Sequence, residues 1–266
     1  MDTTYSPRAS GALAGLVAAG AVIVVAALGL SGPRGPAVAP LPPLAAIDEP
    51  DARKAAFIDY LYPVILEVTD EILAERRRVV AISAAHARHG GISRIDQWWL
   101  AERARQYRIS DPTPEGQLAR LERRLDVVPP SLALAQAAIE SGWGTSRFAV
   151  EGNNLFGHWC FVEGCGLVPD RRPAGARHEV AVFDSTTTAV RRYLYNLNTH
   201  RAYRPLRDLR AEARSEGRPL SGLELAGGLA RYSERGQPYV RDVRIVIRAN
   251  DLESLDTQWQ EVNHAH

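Results

Sequence analysis

Hydrophobic residues recur at intervals of three or four along much of the chain beyond residue 50, the spacing of amphipathic helices. Between residues 51 and 78 this repeat consists of Phe57, Leu61, Ile65, Val68 and Ile72. Pro63 lies inside it, so we expect a kink or the first turn of a second helix there. The same spacing predicts further helices at 93–108 with Ser93 as the cap, after Pro114, at 187–199 and near 223–232.

One predicted helix is apolar on every side. Between Pro130 and Glu140 only Ser131 and Gln136 interrupt the apolar residues. A helix of this kind is typical of the centre of a core. Gly142 is its expected stop.

Helical spacing disappears between residues 159 and 184, where glycine and proline recur every few positions. Residues 177–183 alternate between polar and apolar side chains, as a half-buried strand does. We therefore expect a hairpin or small β-lobe at 166–183 within a chain that is α+β and mainly α.

The amino-terminal region differs from the rest. Residues 9–33 are 25 consecutive uncharged positions, long enough for a helix that spans a bilayer. A cleaved signal peptide is the alternative, but its apolar run is usually shorter. Six prolines between residues 31 and 50 predict an extended linker at 34–50.

Composition excludes several classes of protein. The 266 residues carry a net charge of +1 and are 45% hydrophobic, which argues against a disordered chain. The absence of a strong basic excess argues against nucleic acid as a partner.

The two cysteines, Cys160 and Cys165, lie close together in the chain. They lack a recognised spacing for zinc, so we expect no metal and no cofactor. In an extracytoplasmic compartment they would form a disulfide, and in a reducing compartment they would be free thiols.

Glu140 is the first candidate for catalysis. At the carboxyl end of a buried helix, its charged form is disfavoured by the helix dipole and by burial. Both effects raise a carboxyl pKa, as a general acid at neutral pH requires. The alternative is a glutamate that reaches solvent or pairs with an arginine such as Arg147.

Three segments then carry a resemblance to a known family. The string Ala-Ile-Glu-Ser-Gly-Trp-Gly-Thr-Ser contains Glu140, an Asn-Asn-Leu-Phe-Gly turn follows at 153–157, and Arg-Tyr-Ser-Glu-Arg-Gly-Gln-Pro-Tyr occupies 231–239. Together they resemble the glucosaminidase family of peptidoglycan hydrolases, and its Bax-type members in particular. The resemblance implies a lysozyme-like fold with a groove between an α-lobe and a β-lobe.

The resemblance also implies roles for individual residues. Glu140 matches the general acid and Tyr232 the active-site tyrosine. Trp143, Asn154 and Phe156 match residues that shape the turn beside the acid, and we expect them to contact substrate.

A glycosidase usually needs a second carboxylate, which the resemblance places on the β-lobe. The candidates are Glu163, Asp170 and Glu179. We prefer Glu179 because it shares a strand face with Ala181 and Phe183. In a substrate-assisted route, the 2-acetamido group of the sugar would do most of its work.

Aromatic side chains are the candidates for stacking on sugar rings. Trp159 and Tyr203 lie in loop-like sequence and are preferred, and Tyr239 is a further candidate. Tyr193 falls on an apolar helix stripe and is expected in the core.

These observations divide the chain into six parts. They are an amino-terminal flank (1–8), a membrane anchor (9–33), a linker (34–50), a helical region (51–127), a catalytic domain (128–250) and an acidic tail (251–266). The catalytic part holds 17 basic and 12 acidic residues, a balance of +5, which suits an anionic polymer.

The expected function is cleavage of peptidoglycan strands as an endo-β-N-acetylglucosaminidase, by a single-pass inner-membrane protein facing the periplasm. The alternatives are a lytic transglycosylase and a non-catalytic wall-binding scaffold.

Overall fold

A computed structural model describes residues 40–170, 172 and 175–264. Residues 263 and 264 are described by their backbone alone. Its helices are α1 (Pro50–His89), α2 (Arg94–Gln106), α3 (Pro114–Arg124), α4 (Pro130–Ser141), α5 (Arg147–Gly152), α6 (Thr186–Thr199), α7 (Arg204–Ser215), α8 (Gly222–Leu225), α9 (Gln237–Ala249) and α10 (Glu253–His264). Its strands are β1 (Trp159–Cys160), β2 (Gly166–Leu167) and β3 (Glu179–Ala181).

No helix within the described residues is long and apolar enough to cross a bilayer. The predicted membrane anchor at 9–33 and the first part of the predicted linker lie outside those residues.

Helix α1 runs for 40 residues without a break, so the expected second helix at Pro63 is absent. The Glu49 side chain accepts hydrogen bonds from the first-turn amides, and Gly90 ends the helix with a left-handed backbone. The helix buries Phe57, Leu61 and Ile65 in the main core. Such burial on both sides of Pro63 stabilises a continuous helix despite the hydrogen bond that proline removes.

The second half of the predicted linker belongs to the folded body. Residues 44–46 form a 3-10 turn, and Leu44 is buried in the main core. A Cβ built on Gly144 would lie 2.5 Å from the Leu44 side chain. The expected extended linker is therefore wrong from residue 44 onward. The Leu44 side chain fills the space that Gly144, which has no side chain, leaves in the core.

Helix α4 lies at the centre, as its apolar composition predicts. Ten of its 12 residues are buried, and α1, α8, α9 and α10 surround it. It ends at Gly142 with a left-handed backbone (φ 58°). Of its buried polar side chains, Ser131 and Gln136 have hydrogen-bond partners on other helices, and the Ser141 hydroxyl donates to the Ala137 carbonyl oxygen.

A cluster of charges joins α1 and α7. Asp126 is almost fully buried and forms ion pairs with Arg76 of α1 and with Arg210 and Arg214 of α7. Burial disfavours its charge, but the three arginines outweigh burial and hold the pKa of Asp126 below its ordinary value. This cluster fixes α7 against α1.

The β-lobe is a small antiparallel sheet with the strand order β1-β3-β2. Trp159 pairs with Val180, and Leu167 pairs with Val180 from the other side. The predicted β excursion is therefore confirmed, with its central strand limited to Glu179–Ala181.

Within the predicted acidic tail, residues Glu253–His264 form α10, and Asp256 and Trp259 of this helix are buried. The buried Asp256 accepts hydrogen bonds from the backbone amide (2.8 Å) and the hydroxyl (2.5 Å) of Ser131. Asp256 thus caps the first turn of α4, where backbone amides lack partners within the helix.

Asp256 should make stability depend on pH in a predictable direction. Burial raises the pKa of Asp256 to about 6, although the hydrogen bonds from Ser131 act to lower it. Because the pKa of Asp256 is higher in the folded state, protonation of Asp256 increases the free energy of unfolding. This contribution is fully present below the unfolded-state pKa and is lost as pH rises through 6. Relative to Asp256→Asn, the wild type should therefore gain about 1–2 kcal/mol between pH 7 and pH 4.5.

Urea unfolding of both full-length proteins at the two pH values measures this difference. Glu261→Gln changes an exposed carboxylate on the same helix and is the matched control. A wild-type advantage over Asp256→Asn that stays constant with pH would contradict the prediction.

Candidate active site

Glu140 lies in the last turn of α4 and is half-buried. The chain then turns through three successive residues with positive φ, Gly142, Trp143 and Gly144. This conformation is costly for tryptophan, and glycine on either side allows the turn to be this tight. The alternative of an ion pair with Arg147 is wrong, since Arg147 pairs with Glu151 and Asp170.

The surroundings of Glu140 favour its protonated form. Burial raises the pKa of Glu140, and a hydrogen bond from the Tyr239 hydroxyl opposes this shift without cancelling it. Its charged form in turn raises the pKa of Tyr239 and of Tyr232, which burial already raises. The site therefore combines a carboxyl whose pKa is raised with phenols whose pKa values are raised as well.

Aromatic rings line one side of this carboxyl. Tyr232 stacks on Tyr239 with a centroid distance of 5.5 Å and lies 5.7 Å from Tyr203. The Tyr232 hydroxyl donates to the carbonyl oxygen of Phe156 at 2.9 Å. The predicted site residues Tyr232, Tyr239 and Tyr203 are thus brought together with the predicted acid.

Gly157 forms the opposite boundary of the site. Its φ is 65°, and a Cβ built on it would lie 3.1 Å from Glu140 Oε2. A side chain here would press on the carboxyl, so the Asn-Asn-Leu-Phe-Gly turn ends in glycine for a reason of space as well as conformation.

Two residues of the site were not predicted from the sequence as functional. These residues are Gln136, which lies one helical turn before Glu140, and Tyr193 of α6. The Tyr193 hydroxyl donates to Gln136 Oε1 at 2.7 Å. Gln136 Nε2 donates to the Tyr239 hydroxyl at 3.0 Å. An amide in an otherwise apolar helix needs buried partners, and this need was the signal available in the sequence.

Asn154 and Phe156 have structural roles. The Asn154 amide donates to the carbonyl oxygens of His158 (2.9 Å) and Ala181 (2.8 Å) and accepts from the His158 amide (3.0 Å). Phe156 is buried and stacks on Tyr193 at 4.1 Å. Their expected contact with substrate is corrected here, because both side chains are inside the fold and hold the turn against the β-lobe.

Trp143 packs against α1. Its ring meets Phe57 edge-on at 5.6 Å, and Lys54 Nζ lies 5.9 Å from the ring centroid. Trp143 therefore anchors the turn after α4, and its contact with substrate stays a prediction.

Glu179 has both carboxylate oxygens engaged by one loop. They accept from the amides of Gly164 (3.1 Å) and Gly166 (2.8 Å), and these bonds hold the pKa of Glu179 below its ordinary value. The same loop is closed by a Cys160–Cys165 disulfide, one of the two expected states of these cysteines. Glu179 is thus ionised and fixed on the β-lobe, and its role as the second catalytic carboxylate stays a prediction.

Of the preferred sugar-stacking residues, Trp159 is 55% exposed and Tyr203 is 7% exposed. The Trp159 ring stacks on His178 with a centroid distance of 4.2 Å. Trp159 therefore has the better geometry for contact with a sugar.

In the described part of the chain, one group of side chains has metal-ligating types and spacing, namely Cys160, Cys165 and Glu179. Both sulfur atoms are in the disulfide, so this group offers no thiolate to a metal ion.

Comparison with known proteins agrees with this geometry. Residues 116–252 match the glucosaminidase family model, described as mannosyl-glycoprotein endo-beta-N-acetylglucosaminidase. The chain is also 33% identical over 207 residues to Protein bax of Escherichia coli (strain K12), across 75% of this chain and 70% of that protein. The chain belongs to the glucosaminidase family.

Membership of the glucosaminidase family confirms the Bax-type resemblance and the α+β, mainly α, lysozyme-like fold. It also supports a role as a glycan hydrolase. The matched region contains α4, the β-lobe and the segment 231–239 that carries Tyr232 and Tyr239. No solved structure matches the chain.

The tight approach of Gly157 to Glu140 predicts a selective loss of activity in Gly157→Ala. The new methyl group would displace the carboxyl, so glycan cleavage should fall at least tenfold. The matched control is Gly217→Ala, which has nearly the same φ (66°) but nothing within 4 Å of the new Cβ. Similar melting temperatures with unequal activities are expected, and equal activities would contradict the prediction.

Proposed function

We propose that this protein is an endo-β-N-acetylglucosaminidase that cleaves β-1,4 bonds of the peptidoglycan backbone with Glu140 as general acid. The observation that carries the proposal is the setting of Glu140, a half-buried glutamate whose carboxyl pKa is raised by burial at the end of the central helix. Family membership supports the glycan as the class of substrate.

In the proposed reaction, Glu140 donates its proton to the glycosidic oxygen as the bond from this oxygen to the anomeric carbon breaks. Water then supplies hydroxide to the anomeric carbon, and its proton returns to Glu140 or to a second base. Glu179 supplies the ionised carboxylate on the β-lobe in this proposal. In the substrate-assisted form, the 2-acetamido oxygen stabilises the anomeric carbon and Glu179 acts through its charge.

We also propose that residues 9–33 anchor the protein in the inner membrane with the catalytic part in the periplasm. The disulfide supports this location, since such bonds persist in oxidising compartments. Protease added to intact spheroplasts should degrade the catalytic part, and protection until the membrane is lysed would contradict this orientation.

A general acid must hold its proton, so cleavage should fall as pH rises through the raised pKa of Glu140. The descending limb of kcat/KM should lie above pH 4.5, the ordinary value for glutamate. Rates on purified sacculi across pH 4–9 measure it, and activity that rises steadily over this range would contradict the assignment.

Replacing Glu140 with Gln removes the acidic proton and keeps the side-chain volume. Cleavage of purified sacculi by the full-length protein should fall by about 10²–10⁴-fold. Glu151→Gln, an exposed glutamate on α5, is the matched control and should retain activity.

Mass spectrometry of the released glycans distinguishes the alternatives. Reducing N-acetylglucosamine ends support the proposal, whereas anhydro-muramyl ends, one water lighter, identify a lytic transglycosylase. Binding to sacculi without release of glycan by the wild type would identify a scaffold.

A further inference from the structure

A chain of buried hydrogen bonds crosses the core and ends at Glu140. It starts at Tyr193 on α6, passes through Gln136 on α4 and continues to Tyr239 on α9. Tyr193 and Gln136 are fully buried and Tyr239 nearly so. The Tyr239 hydroxyl bonds to the Glu140 carboxyl.

The direction of this chain is fixed at its far end. Tyr193 has one hydroxyl proton, and in the described part of the chain its recorded acceptor is Gln136 Oε1. The amide therefore presents Nε2 to the Tyr239 oxygen, and the Tyr239 proton is directed toward Glu140. The opposite direction would need a rotated amide and would leave the buried Tyr193 proton without an acceptor, which is costly.

We propose that Gln136 is a positioning residue that, held by Tyr193, keeps Tyr239 as a hydrogen-bond donor to Glu140. The inference deepens the proposed function, since it assigns how the acid of that reaction is controlled. Gln136 and Tyr193 act through Tyr239 and do not touch the substrate.

The groups that act on Glu140 make its titration sensitive to this one donor. Tyrosines face it from three elements, Tyr193 on α6, Tyr203 on the turn after α6 and Tyr239 on α9, together with Tyr232 from the segment before α9. The pKa of Glu140 is shifted by burial and by the Tyr239 hydroxyl, and within the described residues no ionised side chain contributes to this shift. A donated hydrogen bond stabilises the carboxylate, so its loss favours the protonated acid.

Without Tyr193 the Gln136 amide is free to rotate. Its oxygen then accepts from Tyr239, and the Tyr239 oxygen accepts from the protonated Glu140. This arrangement stabilises the acid form, which the wild-type chain of bonds prevents. Tyr193→Phe and Gln136→Leu should therefore both raise the pKa of Glu140.

The experiment measures this pKa in two ways on the full-length protein. The carboxyl ¹³C signal of Glu140, assigned by its absence in Glu140→Gln, reports titration without substrate. The pH profile of kcat/KM on sacculi reports it during turnover. Tyr195→Phe is the matched control, because Tyr195 lies on the same helix and its hydroxyl is bound to the Gln106 carbonyl oxygen.

We expect an upward shift of about one pH unit in Tyr239→Phe and about half a unit in Tyr193→Phe and Gln136→Leu. Tyr195→Phe should not shift. The double variant Tyr193→Phe/Gln136→Leu should shift no further than either single one, since both interrupt the same chain. Should Gln136→Leu fail to fold, Tyr193→Phe and its control decide the question.

An unchanged carbon titration in Tyr193→Phe overturns the inference, even where Glu140→Gln abolishes cleavage. Conversely, full cleavage by Glu140→Gln overturns the proposed function, while the carbon titration still decides the role of Gln136. The two failures are therefore distinguishable.

Discussion

The burial of α4 is the constraint on which the rest of the structure depends. A helix enclosed on all sides must find partners inside the protein for each polar group it carries. Ser131 finds Asp256, and Gln136 finds Tyr193 and Tyr239. These partners come from α6, α9 and α10, so satisfying two side chains of one helix brings three others into register and places Tyr239 against Glu140.

Three carboxyl groups show how neighbours rather than burial alone decide charge. Asp126, with three arginines around it, keeps its charge inside the protein. Glu140 and Asp256 meet neutral hydroxyl and amide donors, and burial raises the pKa of each. Under the proposed function this difference matters, because an ion pair beside Glu140 would hold it ionised and unable to donate a proton.

Local features of the fold could be predicted from the sequence, and features set by distant contacts could not. The Ser93 cap, the central helix and its stop at Gly142 follow from residue types within a few positions. The continuity of α1 through Pro63, the burial of Leu44 and the folding of α10 each depend on surfaces far away in sequence. For the site, the family motif predicted roles for Glu140 and Tyr232, and these roles stay predictions. The scaffold roles of Asn154 and Phe156 depend on tertiary contacts that motif spacing does not encode.

The cap that Asp256 supplies to α4 has a consequence for how the protein is synthesised. Ser131 lies 125 positions before its partner, so the helix that carries the acid is synthesised long before the residue that completes its first turn. As the chain emerges, α4 stays without this cap until α10 has left the ribosome or the translocon. Under the proposed function, the helix that positions the proton donor Glu140 is therefore completed only after α10 has been synthesised.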